Sequence, residues 1–307
     1  MTKTTKRIST GILAFILLFS AVLPVTCIFS RDAAAKSYSL IYTVTDGEIT
    51  ITGCEGEPEF VEIPQFISGK PVTSLGAEAF SEHSELKQIS LPEGLSSIGD
   101  RCFYACTMLE SAVLPVSLTY IGSGCFCGCT ALSAVSLPES LSELPDSCFR
   151  ACISLDPVYI PEGVSTIGRF CFSGCTSLSF VNIPESVTDI GSCAFYMCRE
   201  LTAVYIPPSA ENLGPYSLGC TTAAGEADPS FTILSAKGTA AEQYAAEYHV
   251  SFVDASGAVQ AAAIKGLSGR RLGTGIPIIY IAAAAAIFTA AAAVIVRQSI
   301  RLRRKNK

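Results

Sequence analysis

Histidine is close to absent from this chain of 307 residues: His83 and His249 are the only two. A hydrolase triad needs an imidazole or an equivalent base beside its nucleophile, and no such set is visible around either histidine. A glycine-rich phosphate loop between a strand and a helix is missing as well. The sequence therefore points away from an enzyme, with no catalytic residue and no cofactor site expected. Charge is thin, with Asp, Glu, Lys and Arg at 16% of residues and a formal net of −6. That net conceals a division. The last eleven residues, RQSIRLRRKNK, hold six of the 21 basic residues, and the first thirty-five hold four beside one acidic residue. The stretch from Lys36 to Val296 keeps 11 basic and 26 acidic residues, a net of −15. Such a body repels phosphate backbones, which excludes nucleic acid as a partner.

Both ends carry membrane signals. Lys3, Lys6 and Arg7 precede the apolar run GILAFILLFSAVLPVTCIF, and Ala33, Ala34 and Ala35 supply a small-residue cleavage site, so residues 1–35 are expected to be a signal peptide. An uncleaved anchor is the alternative, although Pro24 disfavours a straight spanning helix. Cys27 follows Pro24-Val25-Thr26, a poor context for lipidation. Near the other end, Ile276 to Val296 runs 21 residues without a charge. At ~1.5 Å per residue this is about one hydrocarbon thickness, which predicts a transmembrane helix. The basic cluster of residues 297–307 follows it, so the tail is expected in the cytoplasm and the body outside, as a single-pass type I protein at the cell membrane. Residues 272–275, LGTG, resemble a cell-wall sorting signal that has lost its proline, which leaves wall anchoring after C-terminal processing as the alternative.

What the sequence has in abundance is repetition. Prolines stand at 92, 115, 138, 161, 184 and 207, phenylalanines at 80, 103, 126, 149, 172 and 195, and leucines at 86, 109, 132, 155, 178 and 201, each column at intervals of 23. Each unit opens on LxxΦxΦP, as in LKQISLP or LTAVYIP, whose alternation predicts a strand. It continues with ΦxxIG, as in VTDIG, and closes on a short C/A-F-x-x-C segment read as a helical turn. The proline ends the strand ladder, and the glycine of IG is expected to supply a positive φ at a corner. The period and the LxxLxL pattern lie in the leucine-rich-repeat range. They predict an α/β solenoid: one strand per 23-residue unit, paired in parallel with its neighbours, each rung covering the apolar face of the next.

Units such as VNIPESVTDIGSCAFYMCREL resemble the BspA-type leucine-rich repeat of bacterial surface proteins, over about residues 37–254. YTVTDGEITITGCEGE and IPQFISGKPVTSLGAEAF resemble that family's opening hairpin and longer first repeat, with five extra residues between Pro64 and Pro92. FTILSAKGTAAEQYAAEYHVSFV resembles its closing cap. The expected organisation is a hairpin cap and first repeat over 36–76, repeats over 77–220, a C-terminal cap over 221–254, a stalk over 255–275, the span over 276–296 and the tail over 297–307. The resemblance implies a surface-attached solenoid used in adhesion or protein binding, and no reaction.

Cys106, Cys129, Cys152, Cys175 and Cys198 form one column, where the family repeat also carries Cys. Cys102, Cys125, Cys148 and Cys171 form a second, where the family usually carries Ala and where this chain itself has Ala79 and Ala194 at the ends. His83 occupies the first column one rung before Cys106. Both columns are expected to be small, buried packing residues. Like side chains on stacked rungs stay near the ~5 Å strand spacing, too far for a relaxed disulfide Cβ separation of ~3.8 Å. Disulfides, free reduced thiols and metal ligation all stay open at this point, with Cys54, Cys127 and Cys193 off the columns as the thiols expected to be exposed.

The outward columns of the predicted strands read Gln88, Ser111, Ala134, Pro157, Phe180, Ala203 and Ser90, Val113, Ser136, Tyr159, Asn182, Tyr205. Tyr159, Phe180, Asn182 and Tyr205 are the candidate binding residues, since exposed aromatics anchor interfaces. The alternative is that the rings cover neighbouring strands. Pro157 interrupts a strand that should have two neighbours, without an evident reason in the sequence. Three functions follow: a surface recognition or adhesion protein for an extracellular protein or glycan, a structural envelope spacer without a ligand, or a thiol-based redox or metal-binding surface protein.

Overall fold

The computed structural model describes residues 25–29, 38–221 and 226–256, with backbone alone over 25–29. The chain enters through β1 (Val25–Phe29), antiparallel to β2 (Tyr38–Thr45), which folds back on β3 (Glu48–Glu55) as an antiparallel hairpin. Asp46 and Gly47 form its turn at φ 53° and 87°, the left-handed pair that a two-residue connection of this hand requires. β1 lies inside the stretch read as a signal peptide. After β4 (Phe60–Glu62), the short β5 (Phe66–Ile67) turns antiparallel onto β6 (Lys70–Leu75), which runs parallel to β3. The five extra residues of the first repeat are spent on this small hairpin.

From there each unit lays down two strands, not the one expected. They are β7 (Gln88–Ser90) and β8 (Ser97–Ile98), β9 (Ser111–Val113) and β10 (Tyr120–Ile121), β11 (Ala134–Ser136) and β12 (Glu143–Leu144). The series continues with β13 (Val158–Tyr159) and β14 (Thr166–Ile167), β15 (Val181–Asn182) and β16 (Asp189–Ile190), β17 (Ala203–Tyr205) and β18 (Asn212–Leu213). The second strand of each unit is the ΦxxIG segment. Neighbours pair in parallel at an offset of 23, as in Tyr120 with Ser97 and Ala134 with Ser111. The chain closes with β19 (Thr232–Ser235), α1 (Ala240–Glu247) and β20 (Ser251–Asp254), the two strands extending the sheet of β17 in parallel.

The helix expected in each unit is not there. Among the described residues α1 is the one α-helix, so the array is a β-solenoid and the α/β assignment is corrected. The reason lies in the C/A-F-x-x-C segment. Two positions per rung have positive φ, for example Arg101 at 52° and Ala105 at 56°, or Ser147 at 56° and Ala151 at 60°. Left-handed residues cannot continue a right-handed helix. Alternate N–H groups instead donate across to the next rung: Arg101 to Ser123 O, Phe103 to Cys125 O and Ala105 to Cys127 O, at 2.8–2.9 Å. The same triplet recurs down to Cys193, Phe195 and Met197, giving an unbroken third ladder at the turn corner.

The glycine of IG also has a different role from the one expected. Gly99, Gly122, Gly168, Gly191 and Gly214 are not among the residues with positive φ. A Cβ on Gly122 would lie 2.3 Å from Asp100 N, and one on Gly168 would lie 2.5 Å from Asp146 N. The column is glycine because consecutive rungs touch backbone to backbone there. Gly122 N–H donates to Ile98 O and Gly168 N–H to Leu144 O, at 2.8 and 2.7 Å. Pro145 takes the same place one rung between, has no N–H to give, and β10 and β12 do not pair. On the other face Pro157 likewise stands where the sheet of β11 ends and that of β13 begins. Toward the rung before it the Asp156 N–H still donates to Ser133 O at 3.3 Å, and toward the rung after it the Asp156 carboxylate accepts the N–H groups of Ser179 at 2.8 Å and Phe180 at 3.3 Å.

The core runs the length of the stack. Phe80, Phe103, Phe126, Phe149, Phe172 and Phe195 are buried and stack successively at ring-centroid separations of 5.2–5.5 Å and interplanar angles of 3–14°. One tyrosine closes each end. The Tyr38 hydroxyl accepts from Glu62 N–H at 3.0 Å, and the Tyr244 hydroxyl accepts from Leu218 N–H and donates to Leu218 O, at 3.0 and 3.1 Å. No helix among the described residues is long and apolar enough to cross a membrane. The expected span at 276–296, the basic tail and nearly all of the stalk lie outside the described residues, as does the signal segment before Val25.

Candidate binding face and thiol columns

The face formed by β7, β9, β11, β13, β15 and β17 presents the outward columns named above. Over its early rungs it is small and polar: Gln88, Ser90, Ser111, Ala134 and Ser136 are exposed. Aromatic rings take over later. Tyr159 is 42% exposed, and its ring meets the half-buried Phe180 at 5.8 Å and 50°. Tyr205 is half-buried, with its hydroxyl donating to Glu185 Oε1 at 3.3 Å. Burial pushes the Tyr205 hydroxyl up, and the Glu185 carboxylate adds to the effect. Partial desolvation raises Glu185 in turn, with a contribution from Glu162 one rung before.

Asn182 does not belong to this exposed set. It is 8% exposed, with Oδ1 accepting from Ile160 N–H at 2.7 Å and Nδ2 donating to Ile160 O at 3.0 Å. Its amide stands in for a strand bond and is turned into the buried layer, so its place among the exposed binding residues is withdrawn. Strand alternation put it outward, and the hydrogen-bonding need of the rung below drew it in. The same face and its rim also hold apolar residues that the aromatic criterion passed over, Val113 at 70% exposed and Val116 at 76%, with Tyr120 at 49% on the second strand of the same rung, β10. Val116 interrupts the column of Glu93, Glu139, Glu162 and Glu185, and that break in charge was the available signal.

Both cysteine columns are buried. Cys102, Cys125, Cys148 and Cys171 have no exposed surface, and Cys106, Cys129, Cys152, Cys175 and Cys198 are at 3% or less. The second set forms a ladder of its own: each Sγ–H donates to the phenylalanine carbonyl 26 residues earlier, Cys106 to Phe80 at 3.0 Å through Cys198 to Phe172 at 3.2 Å. His83 heads that column, and its Nε2 lies 3.1 Å from Cys54 O. The two columns share a face because of the double turn, not because of helical spacing. Burial pushes Cys106 up to about 12 and holds Cys125, Cys129, Cys148, Cys152, Cys171 and Cys175 well above the ordinary thiol value. A nucleophile or metal ligand needs a thiolate, and these sites oppose one. All thirteen described cysteines are free, and among the described residues no three His, Cys, Asp or Glu side chains converge as a metal site requires. Cys54, Cys127 and Cys193 are partly exposed. Burial raises Cys127 too, while Arg150 and Arg101 pull it back down.

The model of the BspA-type leucine-rich repeat region matches the chain in six copies, over residues 59–165 and 142–226. Among solved structures, the chain is similar to the T. pallidum leucine-rich repeat protein TpLRR, at 30% identity and a TM-score of 0.54, covering 57% of this chain and 83% of that one. It is also similar to leucine-rich repeat proteins from Bacteroides ovatus and Eubacterium ventriosum, both at 24% identity and a TM-score of 0.51. These two alignments cover 69% and 60% of this chain but 62% and 48% of the other proteins, and they speak to the fold alone. No curated protein matches. The repeat columns, the stacked rungs and the family model agree, and the chain belongs to the BspA-type leucine-rich repeat family.

Proposed function

We propose that this protein is a non-catalytic recognition module displayed at the cell surface, binding an extracellular protein or glycan through the sheet face around Tyr159. The observation that carries this reading is the exposed Tyr159 ring set against Phe180 on the late rungs of a face whose early rungs carry mostly small and polar residues. An aromatic pair on a rigid, parallel-stranded floor loses little side-chain freedom on binding, which is what an interface anchor needs. The family is one of repeat proteins typically used for protein interaction, which supports the same reading. The N-terminal apolar segment, the 276–296 span and the basic tail support a body held outside a membrane, or in the wall after C-terminal processing. The raised, carbonyl-bonded thiols argue against a redox or metal-binding role.

The test is a triple variant, Tyr159→Ala, Phe180→Ala and Tyr205→Ala, with the fold checked by circular dichroism. Binding to whole cells or extracellular matrix is expected to fall at least tenfold, roughly the effect of losing one interface anchor. Unchanged binding removes this face. A protein that binds nothing while its deletion weakens the envelope would be a spacer.

A further inference from the structure

The solenoid begins on a strand edge that the chain covers with a segment it is expected to lose. β1 pairs antiparallel with β2 over five positions, from Val25 opposite Tyr42 to Phe29 opposite Tyr38, and is the outermost strand of its sheet. It lies wholly inside residues 1–35, and the cleavage site at Ala33–Ala35 falls between the two strands. Cleavage there would release β1 and leave β2 behind. β2 is held from its other side. It pairs with β3 from Ser39 to Thr45, its Tyr38, Leu40 and Tyr42 belong to the core, and the Tyr38 hydroxyl accepts from Glu62 N–H. The vacated row of peptide N–H and C=O groups is thus kept in strand form, and a preformed strand edge is a template for another strand.

We infer that in the processed protein this edge is occupied by the β2 edge of a second copy, paired antiparallel about a two-fold axis at Leu40. Alternation fixes the register. Opposite residues of an antiparallel pair share a face, so the inward Tyr38 meets Tyr42 across the axis, Leu40 meets Leu40, and the outward Ser39 meets Ile41. The contact is self-complementary, as a two-fold interface requires. Residues 38–42 carry no charge, so two copies meet here without the repulsion that the acidic body imposes elsewhere. β2 opens the stack, whereas α1 and β20 close it next to the expected anchor. A contact between two β2 edges therefore joins copies at the ends farthest from their anchors, a head-to-head arrangement that bridges opposing surfaces. The inference rests on the surface display proposed above and on the leader read over residues 1–35, and not on the face around Tyr159.

The test uses the full-length chain in detergent under reducing conditions, biotinylated at its C-terminus, before and after removal of the leader by signal peptidase. Before cleavage the chain should sediment as a monomer and leave streptavidin beads dispersed. After cleavage the sedimenting mass should double and the beads should cluster. In the cleaved chain, S39K/I41K and S39E/I41E each set like charges opposite one another and should each reduce clustering roughly tenfold. Beads carrying one variant should cluster with beads carrying the other, a recovery that a misfolded variant would not give. Resistance to signal peptidase would overturn the inference through the leader reading. A cleaved chain that stays monomeric or leaves beads dispersed, clustering before cleavage, edge variants that cluster as the parent does, or a mixture that fails to recover would overturn the edge contact itself. The Tyr159, Phe180 and Tyr205 variant should cluster as the parent does, so its loss of cell binding reports a separate surface.

Discussion

Raising the pH should take this array apart through its thiols. Nine column cysteines are buried, and burial keeps each protonated in the folded chain beyond the ordinary value of 9.0, to about 12 for Cys106. In the unfolded chain they ionise near that ordinary value. Between the two values the folded state binds more protons than the unfolded one, so stability is fully present below about pH 9 and falls as pH rises. The slope is about 1.4 kcal/mol per pH unit for each thiol, or about 12 for nine of them. At about pH 10 the accumulated loss is about 13 kcal/mol, comparable with the whole stability of an ordinary domain. Under reducing conditions, far-UV circular dichroism and thiolate absorbance should therefore change together, in one step above about pH 9. Tyrosine and lysine titrate in the same region, so the deciding comparison is a variant with Cys102, Cys125, Cys148 and Cys171 replaced by Ala, the residue that the chain itself uses at 79 and 194. Five column thiols remain, and the slope of urea-derived stability against pH should drop to about 7 kcal/mol per unit. Thiolates forming near pH 9 while the dichroism holds, or an unchanged slope in the variant, would refute the burial reasoning.

Phe126→Ala removes a ring stacked at 5.2 Å on Phe103 and at 5.5 Å on Phe149, and should cost about 3–5 kcal/mol in urea unfolding; Phe195→Ala, with one stacked neighbour, should cost less. With no tryptophan in the chain, tyrosine fluorescence or circular dichroism reports the transition. Gly122→Ala forces a Cβ to 2.3 Å from Asp100 N, and should destabilise by more than about 3 kcal/mol, whereas Gly94→Ala has open space and a strained φ of 102°, at about 1 kcal/mol. Iodoacetamide on the native protein should label Cys127 and Cys193 before Cys54, whose thiol burial and the nearby Glu57 and Glu55 push up to about 12; peptide mapping should find the nine column cysteines unlabelled until urea is added.

The stacking, its period and its inward residues were legible because a solenoid writes its rung length into the sequence: proline, phenylalanine and leucine recur every 23 residues, and nearly all of the recurring apolar positions are buried. Backbone conformation was less so. The C/A-F-x-x-C spacing suits a helical turn as well as a double turn, and only the positive φ of residues such as Ser147 and Phe170, which carry no glycine signal, separates the two. The IG glycine was readable as special but not in kind, since close approach and positive φ leave the same mark in one sequence. Pro157 made sense only beside Asp156, whose carboxylate reaches the next rung. Asn182 was misplaced because alternation assigns a side but not the backbone group that a polar side chain will satisfy.

The two closing tyrosines grip peptide groups, at Glu62 and Leu218, and not the side chains that distinguish one rung from another. Apart from the rung of Pro145 and Pro157, the interior rungs offer their neighbours nearly the same peptide groups in the same places. Closing contacts made to the main chain depend little on how many rungs lie between them, so length can be gained or lost in whole interior turns while the terminal rungs that the caps pack against are kept.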